Sequence, residues 1–100
     1  MNKRALEHYR QLIRDGDPRS DYMKALLRAG MKSELRVDLL QGLPRLRDSY
    51  EREMRTVGDP DRFYQSRIDE IDRVIIALER NEEPEYRGVK IPARDSQTQF

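Results

Sequence analysis

Residues 58–80, GDPDRFYQSRIDEIDRVIIALER, decide the fold. Gly58 suits the residue just past a helix end, Asp59 offers a capping carboxylate, and Pro60 suits a first helical turn, where its missing N–H leaves no bond unmade. Tyr64, Ile68, Ile71, Ile75 and Leu78 then recur at three- and four-residue intervals, flanked by Phe63 and Val74. That period predicts one helix, with one apolar face, from Pro60 to about Arg80. Ile76 falls about 80° outside the face, at 100° per residue. Its neighbours there are Asp69, Asp72, Arg73 and Arg80.

The Gly-Asp-Pro break has a twin at Gly16-Asp17-Pro18. An offset of 42 also aligns Tyr22 with Tyr64 and Leu26 with Ile68, yet over residues 16–30 only Gly, Asp, Pro and Tyr are identical. Capping chemistry explains the recurrence without an internal duplication. The first break separates a helix over Lys3–Asp15, with Asn2 as N-cap and Leu6, Tyr9, Leu12 and Ile13 on one face, from a second over Pro18–Ala29. Tyr22, Met23, Ala25, Leu26, Leu27 and Ala29 cover so wide an arc that this second helix should be the most enclosed.

Gly30 ends it, and Ser33 opens a short third helix over Glu34–Gln41, whose Leu35, Val37, Leu39 and Leu40 point nearly all round. Gly42 and Pro44 then predict another break and a fourth helix carrying Leu46, Tyr50, Met54 and Val57. After Arg80 the periodicity stops at Asn81-Glu82-Glu83-Pro84. The expected architecture is all-α: a compact orthogonal bundle of four to five short helices over residues 1–81. Residues 82–100 are expected to form an extended or flexible tail, with a short extended strap over Tyr86–Pro92 and a loose end from Ala93.

Composition narrows the class. One hundred residues, 36% hydrophobic with a mean hydropathy of −1.00, support one modest core. Such a core could gain burial from a second copy, so a homodimer is expected to be accessible. There is no cysteine, so neither a disulfide framework nor a thiolate zinc site exists. No apolar run approaches bilayer length, and Met1-Asn2-Lys3-Arg4 leads into an amphipathic rather than a signal-type segment, which predicts a cytoplasmic protein without a membrane partner.

Residues 1–47 carry 11 Lys+Arg against 6 Asp+Glu and residues 48–100 carry 9 against 13, so the halves differ in sign, +5 against −4. Arginine outnumbers lysine 16 to 4. A basic half so modest is better matched to the acidic half, or to a second copy, than to nucleic acid.

No catalytic constellation emerges. His8 is the sole histidine and lacks companions for a metal site. Ser20, Ser33, Ser49, Ser66 and Ser96 lie in no nucleophile elbow, and no glycine-rich loop is present to cradle a phosphate or cofactor. The carboxylates Asp69, Glu70 and Asp72 fit ion-pair chemistry better, because Asp48 with Arg52, Glu51 with Arg55 and Asp69 with Arg73 have the favourable acid-first i,i+4 order. The chain is therefore expected to be neither an enzyme nor a cofactor protein.

Two binding readings remain. A helix-turn-helix could span Tyr22–Leu40 around Ala29-Gly30-Met31, with Arg28, Lys32, Arg36, Arg45 and Arg47 as a basic rim for DNA. Against it, Arg36 takes a position normally turned inward, Leu26 stands where a small residue is usual, and Glu34 and Asp38 would meet phosphates. The favoured reading is a small adaptor, regulator or inhibitor that binds another protein through Ile76 and the tail residues Tyr86, Val89 and Ile91. A tail that folds back over Ile76 is the competing arrangement.

Overall fold

The structure, a computed structural model, describes residues 2–94. These form four α-helices, α1 (Lys3–Arg14), α2 (Ser20–Arg28), α3 (Lys32–Val57) and α4 (Phe63–Glu79), with a 3-10 turn at Pro60–Arg62. A short antiparallel hairpin follows, β1 (Glu85–Tyr86) and β2 (Val89–Lys90). The all-α bundle expected from the sequence is present. Residues 95–100, assigned to the tail above, lie outside the described residues.

The helix ends follow from local chemistry. Asn2 Oδ1 accepts from the Ala5 amide at 2.8 Å and caps α1. Three C-termini close in the same way: a left-handed residue follows the C-cap, and the next amide reaches back to a carbonyl one turn earlier. Gly16, Gly30 and Asn81 take that position, with the amides of Asp17, Met31 and Glu82 bonding Leu12, Leu26 and Ala77. The two Gly-Asp-Pro breaks are nevertheless built differently. At the second, the Asp59 carboxylate accepts from the Tyr64 and Gln65 amides at 2.7 and 3.2 Å, so α4 starts at Phe63, three residues later than predicted. At the first, α2 starts at Ser20 after Arg19, which makes no side-chain cap, while Asp17 pairs with Arg19 instead.

The predicted break at Gly42-Leu43-Pro44 does not occur: the third and fourth predicted helices are one 26-residue helix, α3. Leu35, Leu39 and Leu43 are fully buried, and Leu46 and Tyr50 continue their row as partly buried members of the same core. That burial outweighs the bond Pro44 cannot make to the Leu40 carbonyl. Pro44 lies on the exposed side of α3, where water can serve the carbonyl it leaves unbonded. Gly42 is used for closeness. A Cβ there would overlap the Ile13 carbonyl oxygen and come within 2.9 Å of its carbon and 3.3 Å of Arg14 Cα, so α1 and α3 touch backbone to backbone.

The core joins Ile13, Met23 and Leu26 to the α3 leucines, then to Ile71, Val74 and Leu78 of α4. Tyr86, Val89 and Ile91 complete it, at 1%, 6% and 0% exposure. These three were expected to face a partner, and the hairpin explains the difference. Arg87 and Gly88, both at positive φ, form a two-residue turn of the kind that matches strand twist. Tyr86 and Val89 thereby become a cross-strand pair on one face, Ile91 follows two residues later on the same face, and its amide bonds the Pro84 carbonyl at 2.8 Å. The strap is thus part of the helical core, packed on α4 and α2.

Candidate interaction surfaces

Arg36 is the largest fully buried side chain, at 2% exposure. Its Nη2 donates to the Leu78 carbonyl at 2.8 Å, and its Nη1 donates to the Glu82 and Pro92 carbonyls at 3.0 and 2.9 Å. It therefore binds α3 to the end of α4 and to the strap. Burial pushes its pKa below the ordinary arginine value and the Arg94 charge adds to that, while Glu83 opposes it.

Arg47 also spends its charge internally. Its Nε donates to Asp72 Oδ1 at 2.8 Å and its Nη1 approaches Glu51 at 3.1 Å, and the hydrogen bond to Asp72 raises its pKa. Of the basic rim, Arg28 and Arg45 are exposed and Lys32 is partly buried. The α2–α3 corner does have a helix-turn-helix outline. However, α3 exposes Ser33, Val37 and Gln41 along its first turns, none of them cationic. The inward position read for Arg36 is the one it occupies.

A second charged group lies on the other side of α3. Asp38, with no exposed surface, accepts from Arg10 Nε at 2.8 Å, Arg10 Nη2 at 3.2 Å and Arg14 Nη1 at 3.1 Å. The bond to Asp38 raises the Arg10 pKa, against its desolvation. The Asp38 carboxylate is thus held by three contacts that join α1 to α3.

Three carboxylates on α4 are engaged too. Asp69 accepts from Gln65 and meets Arg62 at 3.6 Å, Glu70 accepts from the Arg87 amide, and Asp72 holds Arg47. Among the described residues no three His, Cys, Asp or Glu side chains gather in a way that could hold a metal ion. His8 is exposed on α1, beside a depression bordered by that one helix.

Exposed apolar side chains mark the surface that remains. Val37, Val57, Phe63 and Ile76 are 58%, 59%, 49% and 48% exposed. Phe63 lies by a cleft with Pro60, Ser66 and Arg73, its ring partly covered by the Arg67 guanidinium 5.3 Å away. Ile76 stands elsewhere. The Arg47–Asp72 pair fixes the antiparallel register of α3 and α4 on the outer flank of their seam. Pro44 precedes Arg47 by about one turn and Ile76 follows Asp72 by about one turn, so both lie on that flank in the same direction from the ion pair. Val37 and the half-buried Leu40 continue the row on α3. The folded-back strap leaves Ile76 uncovered, and only this residue of the predicted partner-facing set is at the surface. The strip missed by sequence reading, Val37 with Pro44, was hidden by the assumed helix break.

Of the three predicted i,i+4 pairs, none forms: Glu51 turns back to Arg47, and Asp48, Arg52 and Arg73 make no ion pair among the described residues. No described helix is long and apolar enough to cross a membrane. Comparison of the chain with known protein families, with characterised proteins and with solved structures returned no match.

Proposed function

We propose that this protein is a non-catalytic binding protein, an adaptor, regulator or inhibitor, that works through protein–protein contacts on the outer flank of the α3–α4 seam. The observation that carries the reading is Ile76, 48% exposed on an otherwise charged helix face, with the exposed Pro44 and Val37 and the half-buried Leu40 on the α3 side of the same flank by helical register. An apolar strip with a charged border is the usual anatomy of a contact surface. DNA binding has less support, because Arg36 and Arg47 are committed to internal contacts.

A photo-cross-linking residue at position 76, compared with one at the exposed Lys24 on α2, tests the proposal in the native host. A discrete protein adduct from position 76 and none from position 24 is expected. Equal labelling at both, or none at 76, would remove the flank as a contact surface.

A further inference from the structure

We infer that the outer flank of the α3–α4 seam is occupied by a second copy of this chain, in a two-fold arrangement with the axis along the seam. The inference rests on the flank being a protein-contact surface and adds what covers it. Rotation about such an axis places α3 of one copy antiparallel to α4 of the other at unchanged height, so the register fixed by Arg47 and Asp72 carries across. Pro44 then meets Ile76 of the second copy. One turn further along, Asp48 comes opposite the second copy's Arg73, and after another turn Arg52 comes opposite its Asp69.

Three of these four charges are suited to the role by what they do not do in the single chain, whereas Asp69 already meets Arg62 at 3.6 Å and would be shared. Asp48, Arg52 and Arg73 are exposed and form no ion pair among the described residues, although each has an i,i+4 neighbour of opposite sign. Arg73 also borders the cleft beside Phe63. The strip is apolar at one end and, toward the other, carries acid and base in the order that self-pairing about a two-fold requires, each pair occurring twice. Two helices side by side, each ~10 Å wide and ~25 Å long, present about 500 Å² per copy, or about 1,000 Å² in all, the lower end for a specific interface. A reversible dimer with a dissociation constant on the order of 10 to 100 μM is the matching expectation.

Sedimentation equilibrium of the full chain, from about 5 to 300 μM, tests the inference, with circular dichroism to confirm that each variant is folded. The wild type should pass from monomer to dimer in that range. Asp48→Arg and Arg73→Asp should each weaken association at least about tenfold, and the double variant should regain most of it. A chain that stays monomeric to about 300 μM overturns the inference, as does a dimer indifferent to both reversals or a double variant without recovery. A monomer that still cross-links a different protein from position 76 removes the second copy and keeps the flank. A monomer with no adduct from position 76 removes both.

Discussion

The Arg36 guanidinium donates to the Leu78 carbonyl at 2.8 Å across the interior, joining the first turns of α3 to the end of α4. With the Glu82 and Pro92 carbonyls also bound, it stands where an apolar side chain would be ordinary. Charged hydrogen bonds to backbone carbonyls contribute about 1.5 to 3 kcal/mol each, less the desolvation of the guanidinium. Arg36→Ala takes a donor from three carbonyls, of which Leu78 keeps the Asn81 amide, and opens a cavity, and should cost about 3 to 5 kcal/mol in urea unfolding. Arg36→Lys, whose single nitrogen cannot span the three acceptors, should lose about 2 kcal/mol. Amide exchange at Val89 and Ile91 should accelerate more than at Leu39, because Pro92 is what Arg36 ties down. Uniform acceleration would show that the strap is held by its apolar side chains alone.

Gly42→Ala supplies a test in which two effects have opposite signs. In an open helix, alanine is favoured over glycine by about 1 kcal/mol. Here the added carbon would overlap the Ile13 carbonyl, and backbone cannot rotate aside as a side chain can. The substitution should destabilise by at least about 3 kcal/mol, with shifts in α1 resonances. A stabilised variant would mean that α1 and α3 do not touch there.

Tyr86 should give the alkaline limb of stability. Burial raises its pKa from 10.0 to about 12, so the folded chain holds the phenolic proton more tightly than the unfolded chain does. The contribution is complete below pH 10, falls as the unfolded chain ionises first, and is spent above about pH 12. Between pH 9 and 11.5, wild type should lose about 2 kcal/mol more than Tyr86→Phe. Parallel losses would place the phenol in water.

What the sequence disclosed and what it hid have the same physical origin. Asn2, Gly16, Gly30 and Asp59 act within six residues of themselves, and their roles were legible from residue type and spacing. Gly42 and Pro44 carry the same local meaning, but it was overridden by contact with Ile13, 29 residues away, and by burial of the leucine row against the other helices. The strap failed similarly. Tyr86, Val89 and Ile91 look partner-facing on a segment without helical period, and only the Arg87-Gly88 turn directs them inward. Ile76 was legible as an outlier because a helix face is defined by its own period. Its neighbours on α3 were not, since they adjoin it through the register set by Arg47 and Asp72.

Asp38 poses the last question, whether a buried ion cluster adds net stability or specifies an arrangement. Its carboxylate has no exposed surface, whereas the Arg10 and Arg14 side chains keep 23% and 19% of theirs, so only the acid has lost all its water. Asp38→Asn preserves shape and removes the charge that both guanidiniums face, and should cost about 2 to 4 kcal/mol. Replacing the group together, as Asp38→Leu with Arg10→Met and Arg14→Met, exchanges paired charges for apolar contact and should lie within about 1 kcal/mol of wild type. Urea unfolding of the single and triple variants separates the two roles. A triple variant as unstable as the single one would make the ion cluster a net source of stability. Recovery by the triple variant would assign the cluster to register, with Arg10 and Arg14 selecting which turn of α3 lies against α1.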